Sequence, residues 1–192
     1  MGFFDFLRSK RISAVPPAPL LTEAEIFSHP VYLALWVNRY FLQNHPVENN
    51  YELLPDEETR ESLGITFAQR ERCALEYSIL RIAGVSWLIK WSYDDVFWLT
   101  FSKNIIGPLA KHLFGEDWRG HVTDTAEALD RYVVLSAAGN LDECAQFYLT
   151  RLYDDNGKFL QLKMAGIGFI ACDQINSAFE IMRDAHTTVT LR

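Results

Sequence analysis

The sequence has few of the residue patterns on which enzymatic chemistry is usually built. Its three cysteines, Cys73, Cys144 and Cys172, are far apart and form no CxxC pair, so we expect free thiols in a reducing compartment rather than a disulfide framework. An alanine follows Cys73 and another follows Cys144, which favours small buried helix positions over nucleophiles. The five histidines form no zinc-binding motif, and no phosphate-binding glycine loop is present. These absences predict no metal and no cofactor, and they favour a non-enzymatic function.

Basic residues and long apolar runs are also scarce. The chain has 18 Lys and Arg against 25 Asp and Glu, which gives a net charge of −7. A nucleic-acid-binding protein needs a basic stripe to displace counterions from phosphates, so we expect no nucleic-acid partner. The longest apolar run, residues 79–91, contains two charged side chains and is too short to span a bilayer. Charged residues also interrupt the first eleven residues, unlike a cleavable signal peptide. We therefore expect a cytoplasmic protein.

What the chain does contain is a repeated helix-start pattern. A capping residue is followed three positions later by Glu, Gln or Asp, so that the two groups satisfy each other's free backbone N–H. The five matches begin at Thr22, Thr66, Ser92, Asp124 and Asn140. Each precedes an apolar run with helical spacing, in a chain that is 49% hydrophobic and 22% charged. These features predict an all-α fold, an irregular single-domain bundle of about six to eight helices.

The clearest of these helices follows Thr66. Its apolar stripe recurs at alternating spacings of four and three residues and consists of Cys73, Tyr77, Leu80, Gly84, Trp87 and Trp91. The charged residues Arg70, Glu71, Arg72 and Glu76 lie off this stripe. Beyond Ile82 the helix is apolar nearly all round, which predicts that its C-terminal half is the centre of the core.

Three places have an expected break or an open alternative. Gly107 and Pro108 predict the end of the helix that starts near Asp94, with a separate short helix after them. The C-terminal third fits either one long helix or two pieces hinged at Gly166 and Gly168, because paired glycines weaken a helix. The final residues 187–191, TTVTL, are β-prone and allow a tail or a short C-terminal strand.

The N-terminal region divides into an amphipathic tip, residues 1–11, and a proline-rich linker, residues 12–21, ahead of the helical domain, residues 22–192. The tip combines an apolar helical face with a basic cluster: Phe3, Phe4 and Leu7, then Arg8, Lys10 and Arg11. Two interpretations remain open. The phenylalanines dock on the domain's own core, or the tip binds a membrane surface as a peripheral anchor.

Asp94 and Asp95 stand side by side in a run of aromatic residues, where a catalytic or metal-binding pair is conceivable. If Ser92 caps the following helix, however, the two acids occupy its first turn, where the helix dipole favours carboxylates. Adjacent helical positions point about 100° apart, so the two side chains would not share a proton or a metal. We therefore predict a role in starting the helix.

The leading functional hypothesis is a protein-binding module that captures a basic protein. Two acidic surfaces are the candidate binding sites: Glu57, Glu58 and Glu61, and Asp154 with Asp155. Complementary charge accelerates the encounter with a basic partner. Inhibitors of basic toxins, such as immunity proteins, combine a similar size and charge, which is an analogy and not a family assignment.

Two alternatives come from other residues. Trp87, Trp91 and Trp98 would wall an apolar pocket in a small-molecule-binding or lipid-binding protein, or in an enzyme. The N-terminal tip would instead make the protein a membrane-surface adaptor.

Overall fold

The computed structural model describes residues 21–53, 57–62, 65–153 and 162–190, and within these ranges it contains helices and no strand. The α-helices are α1 (Glu23–Phe27), α2 (Pro30–Val37), α3 (Glu57–Ser62), α4 (Phe67–Ser92), α5 (Asp95–Phe114), α6 (Val122–Ala137), α7 (Leu141–Tyr153) and α8 (Leu162–Thr190). A π-helical segment, Asn38–Gln43, continues α2, and 3₁₀ segments cover Val47–Leu53 and Gly115–His121. The predicted all-α bundle is confirmed.

Helix α4 is the centre of this bundle. It packs against α5, α6, α7 and α8, which surround it. Its middle turns are buried on every side, as the sequence predicts: Ile79, Leu80, Ile82, Ala83, Val85 and Ile89 have almost no solvent contact. The apolar stripe nevertheless leaves the core before the helix ends, because Trp87 is half-buried and Trp91 is exposed. The stripe therefore predicts the core correctly except at its last turn.

Close helix contacts at two glycines position α8. A β-carbon at Gly84 of α4 would overlap the carbonyl oxygen of Ile175 in α8. A β-carbon at Gly168 of α8 would lie 2.8 Å from the β-carbon of Ala145 in α7. The hinge considered at Gly166 and Gly168 is wrong, since α8 runs without interruption from Leu162 to Thr190. At Gly168 the small residue permits close packing between helices.

The helix starts agree with the capping patterns in part. Thr22 and Thr66 form the predicted reciprocal caps, with Glu25 and Gln69 as their partners. Helix α7 begins directly after Asn140, as predicted.

Two of the predicted caps are wrong. Ser92 is the last residue of α4, and Asp94 caps α5 instead, where its Oδ1 accepts a hydrogen bond from the Phe97 N–H at 2.8 Å. Helix α6 begins at Val122, two residues ahead of the expected cap Asp124. At Ser92 the preceding helix α4 extends into the expected start, whereas α6 itself begins earlier than expected, directly after the 3₁₀ segment.

Two further expectations about helix ends are also wrong. Helix α5 continues through Pro108, and Ile105 and Leu109 on either side of it are fully buried. Burial of these side chains offsets the missing hydrogen bond, which costs about 3 kcal/mol in an exposed helix. Residues 187–190 extend α8, so the short C-terminal strand is not formed there.

Several predicted residues lie outside the described ranges. They are the tip residues Phe3, Phe4, Leu7, Arg8, Lys10 and Arg11, and the acidic pair Asp154 and Asp155. None of the helices in the described ranges combines the length and apolar character needed to cross a bilayer.

We predict that Gly84→Ala destabilises the protein by about 1–3 kcal/mol, because the new methyl group has to push α8 away from α4. The matched control is Gly120→Ala, where a β-carbon meets no atom within 4 Å. That variant should stay within about 0.5 kcal/mol of the wild type. Urea unfolding followed by circular dichroism measures both, and equal midpoints for the two variants would contradict the close α4–α8 contact.

Candidate functional site

A buried ionic cluster joins α4, α6 and α7. Arg151 of α7 lies between two carboxylates: its Nε donates to Glu76 Oε1, and its two terminal nitrogens donate to the Asp124 oxygens at 3.1 Å each. The Tyr132 hydroxyl donates to the other oxygen of Glu76 at 3.0 Å. Only 2% of Glu76 is exposed, whereas its place off the apolar stripe suggested the solvent-facing side of α4. Helical periodicity could not predict the burial of Glu76, because the residue that pairs with it is 75 positions further along the chain.

The electrostatics of this cluster indicate a structural role. Burial raises the pKa of Glu76, and the charge of Arg151 opposes that shift. The hydrogen bonds from Arg151 lower the pKa of Asp124. Burial also raises the pKa of Tyr132, so its hydroxyl remains a neutral donor. Since both oxygens of Glu76 accept hydrogen bonds, the cluster satisfies its buried charge internally.

A cleft of about 470 Å³ opens over the ionic cluster. Its walls include Arg72, Phe114, His121, Asp124 and Arg151. Neither Glu76 nor Asp124 offers an unpaired carboxylate to this cleft, because both are bound to Arg151. A general base needs a free acceptor within reach of a substrate proton, so this geometry does not favour acid–base catalysis.

A second polar cluster lies on another side of α4. The Asn50 amide nitrogen donates to the Ala74 carbonyl at 2.7 Å and to the Ser78 hydroxyl at 3.0 Å. The Ser78 hydroxyl is 3.5 Å from His112 Nε2, and burial lowers the pKa of His112, which favours the neutral ring. A serine beside a neutral histidine resembles a nucleophile and its base. Ser78 is only 1% exposed, however, so the cluster fastens the 3₁₀ segment Val47–Leu53 to the bundle.

The α4–α5 corner, defined here as Trp91, Asp94, Asp95, Val96 and Leu99, is different because its apolar side chains face solvent. Trp91 is 74% exposed, Val96 is 73% exposed and Leu99 is 54% exposed. Both acids are exposed as well. Val96 and Leu99 are three residues apart on α5, so they lie on the same side of that helix.

The corner is held by well-packed neighbours. The Trp91 ring stacks near Phe179 of α8, with 6.4 Å between the ring centroids. Tyr93, between the two helices, stacks on Phe97 at 4.0 Å and contacts the His186 ring edge-on at 5.7 Å. These contacts to α5 and α8 fix the turn, and the solvent-facing side chains therefore project from a rigid frame.

The three tryptophans that were predicted to wall a pocket lie on α4 and α5, and Trp87 and Trp91 both pack against Phe179 of α8. Trp87 is half-buried against Phe179, at 4.4 Å between centroids. Trp98 is half-buried on α5, and Lys90 lies over its ring at 5.5 Å. Two further clefts, of about 540 and 360 Å³, are described besides the one over the ionic cluster. All three clefts are lined by other residues.

The predicted acidic residues Glu57, Glu58 and Glu61 are exposed on the short helix α3. Asp94 and Asp95 do start α5, as the cap and the first helical residue respectively. The start lies two residues later than the sequence suggested, and the role in helix initiation is the expected one.

We predict that Arg151→Met destabilises the protein by about 3–5 kcal/mol near neutral pH, because it leaves Glu76 charged, buried and unpaired. The difference from wild type should shrink as the pH falls. Glu76 has a raised pKa in the folded protein, so its protonation stabilises the variant. Asp124 has a lowered pKa, so the wild type loses stability as that carboxylate is protonated.

Denaturant unfolding between about pH 8 and about pH 5 measures this change. Arg183→Met is the control, since Arg183 pairs with Glu180 on the exposed surface of α8. Its effect should be within about 1 kcal/mol. A destabilisation by Arg151→Met that grows towards acid would contradict the assignment of Glu76 as the buried charge.

Comparison with protein-family models, with curated proteins and with solved structures yields no match to this chain. No role can therefore be transferred from a relative, and function has to be argued from the chain's own clusters and surfaces. In the described part of the chain, the ionic cluster and the Ser78 cluster bond mainly within the fold. The α4–α5 corner alone among these three presents large apolar side chains to solvent.

Proposed function

We propose that this protein acts by binding a basic protein through the α4–α5 corner, with Trp91 as the anchor. The observation that carries the proposal is the 74% exposure of Trp91 in the last turn of α4. Tryptophan is usually largely buried in folded proteins, and it is enriched at the energetic centres of protein interfaces. A site without catalytic groups but with an exposed anchor fits binding better than catalysis.

Two more exposed apolar side chains follow Trp91 closely in sequence, which supports an interface rather than a single exposed side chain. Val96 and Leu99 add apolar surface on α5, next to the turn. One exposed apolar residue on a surface is ordinary, whereas several at one corner of a bundle favour an interaction site. The Trp91 ring stacks near Phe179 of α8, which gives the exposed ring one fixed neighbour before a partner binds.

The charge around the corner supports a basic partner. Asp94 and Asp95 border the apolar side chains, and the chain as a whole carries a net charge of −7. Lys90 is the basic residue next to Trp91, and it is held over the Trp98 ring. A partner that places Lys or Arg beside Asp95 and an apolar side chain on Trp91 would match this surface.

The acidic residues of α3 have a separate part in this proposal. Glu57, Glu58 and Glu61 are exposed and add to the negative field of the protein. The described helix α3 contains no apolar residue beside them. Exposed charges outside a contact accelerate association and contribute little to the lifetime of the complex. We therefore assign them to steering, and the α4–α5 corner to the contact itself.

The proposal predicts that Trp91→Ala weakens binding by about thirtyfold, since an anchor tryptophan contributes about 2 kcal/mol or more. The probe is an array of short synthetic peptides that vary in net charge and in Leu, Val and Phe content. Basic peptides with apolar residues should bind the wild type and lose affinity for Trp91→Ala. Phe67→Ala is the matched control, because Phe67 is 69% exposed at the opposite end of α4.

Equal binding of the same peptides to wild type and Trp91→Ala would refute the anchor. Vesicles containing anionic lipid provide a second test surface, since exposed tryptophan is also found at membrane interfaces. If the full chain floats with such vesicles and Trp91→Ala does not, the corner binds a membrane surface and not a protein.

Charge reversal tests the roles assigned to the acids of the corner and of α3. Asp95→Lys should reduce both the affinity for basic peptides and the dependence of the association rate on salt. Reversal of Glu57, Glu58 and Glu61 to Lys should slow association and leave dissociation nearly unchanged. Stopped-flow fluorescence over a range of ionic strength separates the two effects. A triple variant that dissociates faster would place α3 inside the contact.

A further inference from the structure

The cleft of about 540 Å³ lies between the π-helical segment, α5 and the 3₁₀ segment that follows α5. The π-helical segment contributes Asn38 and Gln43 to its lining, α5 contributes Lys111 and His112, and the 3₁₀ segment contributes Trp118. The volume falls within the range of about 300–1,000 Å³ that is usual for small-molecule sites. No residue of the α4–α5 corner lines this cleft in the described part of the chain, so it is separate from the proposed protein-binding surface.

The backbone is irregular in two of the elements that form the cleft. Asn38 and Gln43 are five residues apart, and in an α-helix they would point about 140° away from each other. The hydrogen bonds of a π-helix join residues five apart, which brings the two side-chain amides to the same side. On α5, Pro108 also lines the cleft, and it removes one helical hydrogen bond. Backbone features of this kind cost stability and are concentrated at functional sites.

The polar side chains around the cleft are not used by the fold. Within the described ranges, the side chains of Asn38, Gln43 and Lys111 form no hydrogen bond and no ion pair with another residue. The cleft over the ionic cluster is the opposite case, because its carboxylates are already bound to Arg151. The described lining also contains a lysine and no acid, in a chain with a net charge of −7. Both properties favour an anionic ligand.

His112 adds a hydrogen-bond donor to this lining. Its Nε2 is 3.5 Å from the Ser78 hydroxyl. The Ser78 oxygen already accepts a hydrogen bond from the Asn50 amide at 3.0 Å, so the Ser78 hydrogen is left for Nε2. Burial lowers the pKa of His112, although the charge of Glu48 opposes that shift, and the ring is therefore neutral. A neutral ring whose Nε2 accepts a hydrogen bond carries its proton on Nδ1. The Nδ1–H group is the donor that remains for a ligand.

We infer that this cleft binds a small heteroaromatic molecule that carries an anionic group. The ring of the ligand packs against Trp118, since flat aromatic systems stack favourably on an indole. The anionic group binds the Lys111 ammonium and the His112 Nδ1–H. The amides of Asn38 and Gln43 each offer a donor and an acceptor, which suits the nitrogen and oxygen atoms at the edge of a heterocycle. Nucleoside monophosphates and heteroaromatic carboxylates share this chemistry.

Isothermal titration calorimetry on the full chain tests the inference with probes in which the ring and the anionic group are varied separately. The complete probes are adenosine monophosphate, uridine monophosphate and nicotinate. The incomplete probes are adenosine, nicotinamide, ribose phosphate and inorganic phosphate. We expect at least one complete probe to bind about tenfold more tightly than its incomplete counterparts, because these lack either the stacking or the charged contact. The tighter of the two classes identifies the anionic group as a phosphate or a carboxylate.

Substitutions assign the binding to this cleft. Lys111→Met should weaken a complete probe about tenfold and leave the weaker binding of its uncharged counterpart unchanged. Lys103→Met is the matched control, because it removes the same charge from an exposed position of α5 that does not line the cleft. Trp118→Leu should also weaken the complete probe about tenfold. Trp91→Ala should bind it as the wild type does, which separates this site from the α4–α5 corner.

Three results would overturn the inference. The first is that no complete probe binds at millimolar concentration. The second is that inorganic phosphate binds as tightly as the complete probes, since the ring would then contribute nothing. The third is that Lys103→Met weakens binding as much as Lys111→Met, which would reduce the effect to net charge. The titrations of the wild type decide the first two even if Trp118→Leu does not fold.

Discussion

The pairing of Glu76 with Arg151 is the constraint on which the rest of the bundle depends. A carboxylate that is 2% exposed at the centre of α4 can stay charged only if a cation and further donors reach it. Arg151 supplies the cation from α7, and Tyr132 supplies a hydroxyl from α6. This requirement fixes the register of both helices on α4, and the bond from Arg151 to Asp124 fixes α6 a second time. Apolar packing alone tolerates sliding, whereas this pairing does not.

The fold could be predicted from sequence wherever the determining contacts were local. The reciprocal caps at Thr22 and Thr66 involve residues three positions apart, and both are present. The expected start at Ser92 failed because α4 continues through that residue, and the one at Asp124 failed because α6 begins earlier, directly after a 3₁₀ segment. A capping pattern indicates that a helix can start at a given residue. Tertiary packing decides at which residue the helix actually starts. Pro108 failed as a break for a related reason, because burial on both sides outweighed its local cost.

The candidate sites were harder to predict because they depend on contacts between distant residues. The Glu76–Arg151 pair joins two helices that are far apart in sequence. One sequence gives no signal for such a pair. Trp91 was assigned to the core because it continues the stripe of α4 at the correct spacing. Periodicity identifies the side of a helix, but the neighbouring helices determine where along that side burial stops. In the last turn of α4, Trp87 is still half-covered by Phe179 while Trp91 is mostly open to solvent.

Helix α8 connects the core of the bundle to the α4–α5 corner. Ile175 and Phe179 are four residues apart, so they lie along one side of α8. The backbone at Ile175 is pressed against Gly84 of α4, with no room for a β-carbon on that glycine. One turn later, the Phe179 ring packs near Trp91 at the corner. A close-packed crossing such as the one at Gly84 resists both rotation and translation of α8. The position of Phe179 beside Trp91 therefore depends on a glycine two turns away in α4.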